Sequence, residues 1–154
     1  MDFSVDEAGS LELAQQIKSK ARKPFENAYR AALATKGSTY VQGFLAAAGH
    51  PHQPLEHAWI ELGDRILDPN LPHLNRRVSN LKYFPVQRLT VSQLKAAIEE
   101  AREDYPEDDP LPIYGQAPYE YYGDLMLGGQ DYLEAFQAAE KCCQELTQRS
   151  AEQN

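Results

Sequence analysis

The chain has 154 residues, 42% of them hydrophobic, which fits one domain over residues 1–154 with a single core. Its 23 acidic and 15 basic side chains give a net charge of −8, so most of the surface would repel a phosphate backbone and nucleic acid is not an expected partner. The sequence has neither a membrane-spanning apolar stretch nor a signal sequence, so we expect a cytoplasmic protein without membrane partners.

Two amphipathic helices are predicted at the N-terminal end. The first follows Ser10, a good N-cap residue, and continues to Ala21 with apolar residues at helical spacing. The second begins with Pro24, which suits a first helical position, and Gly37 is placed to terminate it.

Strands are predicted in the middle of the chain. Residues 39–45 are rich in β-branched and aromatic residues, and Gly43 among them indicates a bulge or a close backbone approach. A hairpin over residues 57–68 follows. Residues 81–89 form another strand, which Pro85 restricts to a sheet edge or a bulge.

The C-terminal part is predicted to be mostly helical. Thr90 begins a helix with a capping box, and residues 107–129 are irregular, with a short strand at 119–122 as an alternative. A final helix is predicted to be capped by Asp131. The fold class is therefore α+β, with an antiparallel sheet packed against N-terminal and C-terminal helices.

The hairpin brings together a histidine and an aspartate. A two-residue Gly63-Asp64 turn would pair Leu62 with Arg65 and Ile60 with Leu67. Side-chain alternation then places His57, Trp59 and Asp68 on one face, with His57 and Asp68 as diagonal neighbours. A carboxylate there can fix the imidazole tautomer, as a general base needs, although a purely structural pair is the alternative.

The hairpin sequence HAWIELGDRILDP resembles the His-and-Asp hairpin of the transglutaminase-like group in the papain-like cysteine protease superfamily. Residues 40–44, YVQGF, resemble the strand that precedes it in that group. The resemblance covers residues 24–70 and implies a papain/transglutaminase-like fold. It further implies that His57 is the general base, that Asp68 orients it, and that Trp59 forms a wall of the site.

The same resemblance places Pro24 where the family has its nucleophilic cysteine. In that family the thiol begins a helix, whose positive end lowers the thiol pKa. The segment KPFENA is similar to that helix start, but the chain has no cysteine before Cys142. Since proline has no nucleophilic atom, the resemblance implies a pseudoenzyme that uses no cofactor.

A pseudoenzyme of this kind would act by binding. We expect a protein or peptide partner, or a small molecule, in the former cleft, and the sequence leaves the oligomeric state open. The candidate binding residues are Trp59, Asn27, Gln42, Tyr121 and Tyr122. One alternative is an active hydrolase or acyltransferase that uses His57 and Asp68 with a nonstandard nucleophile or an activated water. Another is an interaction protein without a functional cleft.

Two further clusters are interpreted as noncatalytic. His50 and His52, together with His57, offer metal-ligand types, but Pro51 and Pro54 favour a plain polar loop, so no metal is expected. The adjacent Cys142 and Cys143 cannot form a disulfide framework and lie near the end of a helix, where the dipole disfavours a thiolate.

Overall fold

The fold consists of helices packed on one mixed sheet. In this computed structural model, residues 3–48, 53–113 and 129–152 are described. The elements in chain order are β1 (Ser4–Val5), α1 (Glu7–Ile17), α2 (Pro24–Ala34), β2 (Thr39–Ala47), β3 (Leu55–Leu62), β4 (Arg65–Leu67), β5 (Leu81–Thr90), α3 (Val91–Asp104) and α4 (Gly129–Glu152). Short 3₁₀ turns at Leu71–His73 and Val78–Asn80 connect β4 to β5. The α+β class is confirmed.

The sheet has the strand order β1-β4-β3-β2-β5. The β2–β3, β3–β4 and β2–β5 pairs are antiparallel, as expected. The expectation of a wholly antiparallel sheet is wrong, because Ser4–Val5 pairs with β4 in parallel. A two-residue strand is too short to show alternation, so no sequence pattern indicated it.

The helix starts differ from the expected ones at two places. Helix α1 is capped by Asp6, whose side chain accepts a hydrogen bond from the Gly9 amide, so Ser10 lies inside the helix and is not the N-cap. Helix α4 begins at Gly129, so Asp131 lies in its first turn and is not the cap. The Thr90 capping box with Gln93 is confirmed.

The main core lies between the sheet and the first three helices. It joins apolar residues of α1, α2 and α3 to the sheet face that carries Tyr40, Ala58 and Ile60. Helix α4 packs on the same face further along β2, against Phe44 and Ala46. The opposite face carries Trp59 with Val41 and Ile66, and Phe3 from the N-terminal segment packs there.

Gly43 lies where β2 and β5 come closest. The register shifts between Gln42 and Gly43, so that Gln42 pairs with Gln87 and Gly43 with Pro85. A Cβ atom on Gly43 would collide with the carbonyl oxygen of Phe84. The predictions of a close approach at Gly43 and of a bulged edge strand at Pro85 are both confirmed.

Within the described ranges, no helix combines the length and the apolarity needed to cross a bilayer.

Candidate functional site

The hairpin that carries the candidate site forms as predicted. Gly63 has a φ of +64°, which fits the first central position of a two-residue turn, and Leu62 pairs with Arg65. Ile60 pairs with Leu67 and packs into the main core, whereas Trp59 and Ile66 pack on the opposite face. The register therefore separates the two faces as the sequence indicated.

His57 and Asp68 are in direct contact. The Nε2 atom of His57 lies 2.8 Å from the Oδ2 atom of Asp68. Both side chains are enclosed, with 3% and 0% exposure. The pairing inferred from the register is confirmed, while the catalytic roles implied by the family resemblance stay predictions.

Asp68 is the centre of a hydrogen-bonded group of side chains. Besides His57, its carboxylate accepts hydrogen bonds from the Tyr83 hydroxyl at 2.7 Å and from the Asn70 backbone and side-chain nitrogens at 2.9 and 2.8 Å. We call His57, Asp68, Asn70, Tyr83 and Asn27 the Asp68 cluster. The four donors occupy both oxygens of the carboxylate, and hydrogen bonds donated to a carboxylate stabilise its ionised form.

The pKa of Asp68 is set by opposing effects. Burial alone would raise it, but attraction to His57 and the hydrogen bonds from His57, Tyr83 and Asn70 together hold the pKa below its ordinary value. The pKa of Tyr83 is raised, first by burial and then by the Asp68 charge, so Tyr83 remains a neutral donor.

The second ring nitrogen of His57 is unpaired. Its Nε2 atom contacts Asp68, and Nδ1 makes no hydrogen bond to any residue that the structure describes. Among those residues, the only enclosed side-chain polar atom without a partner is Nε1 of Trp59, so His57 Nδ1 retains contact with solvent. In a neutral imidazole that donates to Asp68, this nitrogen is the basic one.

Asn27 connects the cluster to the first turn of α2. Its side-chain nitrogen donates to the Asn70 side chain at 2.8 Å and to the Lys20 carbonyl at 2.7 Å, and its oxygen accepts from the Lys20 amide. Asn70 in turn donates to the Ala58 carbonyl at 3.1 Å. Pro24, at the first position of this helix, is partly exposed. The helix start is thus attached to the hairpin through Asn27, three residues after Pro24.

Ser10 connects the same hairpin to α1. Its hydroxyl oxygen accepts a hydrogen bond of 2.9 Å from the backbone amide of Asp68, and the side chain is fully enclosed. Asp68 is therefore fixed from its backbone as well as from its carboxylate. This restraint explains why a serine lies inside a helix at this position.

Gln42 lies in a separate internal cluster. Its amide nitrogen donates to the Ile113 carbonyl and to the Tyr132 hydroxyl, and its oxygen accepts from the Tyr40 hydroxyl and the Ile113 amide. We call Tyr40, Gln42, Ile113 and Tyr132 the Gln42 cluster. Both Gln42 and Asn27 are fully enclosed, and all their amide groups are used within the chain. Neither amide is available to a ligand in this conformation.

The remaining candidates fall into two groups. Tyr121, Tyr122, His50 and His52 lie outside the described residues. Cys143 is buried against the sheet, and burial raises the pKa of the half-buried Cys142, which opposes thiolate formation. In the described ranges no group of three potential metal ligands occurs.

A groove of about 770 Å³ opens beside the Asp68 cluster. Trp59 and Tyr83 line it, and both rings contact the His57 ring, at centroid distances of 6.2 and 6.3 Å. Phe3 forms a second wall. Helix α4 contributes Cys142, Glu145, Leu146 and Arg149. The described lining residues include Trp59 but neither His57 nor Asp68, so the expected role of Trp59 as a wall of the His57 and Asp68 site stays a prediction.

Sequence reasoning missed three members of this site. Asn70 follows Asp68 by two residues, a spacing typical of Asx turns, so a local signal for it was present. Tyr83 and Ser10 carry no such signal. They reach Asp68 from β5 and α1 through tertiary packing, which sequence spacing does not define.

Comparisons of the chain with protein-family models, with curated proteins and with solved structures found no significant match.

Proposed function

We propose that this chain is a noncatalytic binding domain on a papain/transglutaminase-like scaffold, and that its ligand occupies the groove between Trp59, Tyr83 and Phe3. The observation that carries the proposal is the division between an enclosed polar cluster and an accessible groove beside it. His57 and Asp68 have 3% and 0% exposure, whereas the groove next to them has the volume of a small-molecule site.

The start of α2 supports the absence of acyl transfer. The residue there is Pro24, and the first-turn residue attached to the cluster is Asn27, an amide. Neither side chain can form a covalent acyl intermediate. In addition, Asp68 is fixed by four donors, an arrangement that stabilises the hairpin whether or not a reaction takes place.

The groove supports binding by its chemistry. Its walls combine aromatic and aliphatic side chains with a few charged groups, which is the usual composition of ligand sites. Phe3 is held there by the guanidinium of Arg88, which lies 5.4 Å from the ring centroid. Arg88 is itself fixed by a two-point contact to Glu61 at 2.9 and 3.1 Å.

Binding of a neutral apolar probe tests the proposal. N-phenyl-1-naphthylamine fluoresces when it enters an apolar site, and we expect saturable binding of one equivalent. The Phe3→Ala variant removes a wall of the groove and should weaken binding severalfold. Leu133→Ala, at an exposed residue of α4 that does not line the groove, is the control and should bind as the wild type does. Absence of saturable binding to the folded protein would refute the proposal.

One observation favours a second candidate, a hydrolase in which His57 activates water. Its Nδ1 atom is unpaired among the described residues and retains contact with solvent, as a general base requires. Turnover of activated esters that disappears in His57→Gln, with an unchanged unfolding transition, would establish this candidate. We expect no turnover above that of free imidazole.

A further inference from the structure

The groove differs in charge from the rest of the molecule. Its lining contains three cationic side chains, Lys82, Arg88 and Arg149, and two anionic ones, Glu61 and Glu145. The local net charge is therefore +1 in a chain whose formal net charge is −8. A ligand that carried a positive charge would meet a surplus of cations in the groove.

The pairing within this set leaves two cations without a close partner. Arg88 and Glu61 neutralise one another through two contacts. Within the described ranges, Lys82 and Arg149 take part in no ion pair. Both are exposed, and both line the groove together with Cys142 and the anionic Glu145. Glu145 adds to the rise that burial causes in the pKa of Cys142, and the two cations oppose that rise. Lys82, Arg149 and Glu145 therefore give this part of the groove a net charge of +1.

Much of the remaining groove lining is aromatic or aliphatic. Phe3, Val78 and Tyr83 are partly buried and line the groove above a floor that includes Trp59 and Ile66. A molecule that fills this groove needs an apolar body to contact the aromatic and aliphatic lining and an anionic group to contact Lys82 and Arg149.

A peptide strand fits this groove poorly. An added strand would have to join an edge of the sheet, which is β1 or β5. In β5, Pro85 has no N–H group and the β-bulge interrupts the ladder beside it, and β1 is only 2 residues long. An occupant that requires no backbone pairing is favoured over an extended peptide.

We propose that the groove binds an amphiphile with one anionic head group, such as a long-chain carboxylate, with its chain along Phe3 and Tyr83 and its head between Lys82 and Arg149. This inference rests on the proposed function, since it names the ligand class of the same groove. Exposed charge pairs contribute modestly, so removal of either cation should weaken carboxylate binding about threefold and removal of both about tenfold.

Displacement of N-phenyl-1-naphthylamine measures this selectivity. Dodecanoate should displace the probe at lower concentration than dodecanol or dodecylamine. The advantage over dodecanol should decrease in Lys82→Gln and Arg149→Gln and disappear in the double variant. Lys141→Gln removes an exposed cation of α4 that does not line the groove, so it should retain the preference.

Alkylation of the cysteines provides an independent measurement. Dodecanoate should slow the reaction of Cys142 with iodoacetamide, because Cys142 lines the groove, and the fully buried Cys143 should stay unmodified throughout. Equal protection by dodecylamine would contradict the inference.

The outcomes separate the two proposals. Saturable probe binding without a preference for the carboxylate, or with a preference unaffected by the double variant, overturns the inference and leaves the binding function intact. Displacement by an apolar hexapeptide as effective as that by dodecanoate also overturns it, in favour of a peptide ligand. If the probe itself does not bind, the proposed function fails first.

Discussion

Two buried polar clusters attach helices to the same sheet, and they differ in charge. The Asp68 cluster connects the β3–β4 hairpin to α1 and α2 around a carboxylate with four donors. The Gln42 cluster connects β2 to α4 and to the chain at Ile113 around a neutral amide. A side-chain amide both donates and accepts hydrogen bonds and does not titrate. An ionised carboxylate only accepts them, so its contribution to the free energy of unfolding depends on pH.

The largest effect should follow from loss of the charged centre. Asp68→Ala leaves His57, Asn70 and Tyr83 without their common acceptor, and breaking a buried pair in this way costs about 3–5 kcal/mol of unfolding free energy. Chemical denaturation measures the loss. Asp64→Ala, in the exposed turn of the same hairpin, should change stability by less than about 0.5 kcal/mol. Equal effects of the two substitutions would show that the cluster contributes nothing specific.

The neutral cluster should be the next most sensitive. Gln42→Leu keeps a side chain of similar size but removes the amide that bonds Ile113, Tyr40 and Tyr132, at a cost of about 2–3 kcal/mol. The loss should not vary between pH 5 and 9, because burial raises the pKa of Tyr132 to about 12. Gln15→Leu, on the exposed side of α1, is the control. A loss that varied strongly within this pH range would contradict the view of a neutral cluster.

A smaller effect is expected from one donor to Asp68. Tyr83→Phe removes the hydroxyl that lies 2.7 Å from the carboxylate, and it should cost about 1.5 kcal/mol because three donors remain. Tyr29→Phe, at a hydroxyl without a hydrogen bond among the described residues, is the matched control. A cost no larger than that of Tyr29→Phe would mean that the hydroxyl does not stabilise Asp68.

The pH dependence of the unfolding free energy should also distinguish the two clusters, and this is the smallest of the expected effects. The folded pKa of Asp68 lies below its unfolded value of about 3.9. The Asp68 contribution is therefore fully present above that value and is lost as the pH falls through the folded pKa. Denaturation between pH 6 and 2 should show a stability loss that is smaller in Asp68→Asn and unchanged in Gln42→Leu. Parallel curves for wild type and Asp68→Asn would contradict this assignment.

The sequence predicted the parts of the site that depend on local rules. The Gly63-Asp64 turn and the alternation of side chains sufficed to pair His57 with Asp68. The Thr90 capping box was likewise visible, since its partners lie three residues apart.

The parts that were missed depend on tertiary structure. Asp6 and Ser10 are both good N-cap residues, and packing decides between them, because Ser10 is needed as an acceptor for the Asp68 amide. Tyr83 reaches Asp68 from β5, whose register follows from the bulge at Pro85. The groove combines Phe3 with α4, which are distant in the sequence.

Gly43 also determines how much substitution the sheet can tolerate. It pairs with His57 on one side and with Pro85 on the other, and any side chain there would collide with the Phe84 carbonyl group. In a saturation library every replacement at this position should therefore be depleted. Gly63 lies in open space and needs only a positive φ, so asparagine and aspartate should survive there. Position 43 should therefore tolerate fewer substitutions than most other positions of this chain.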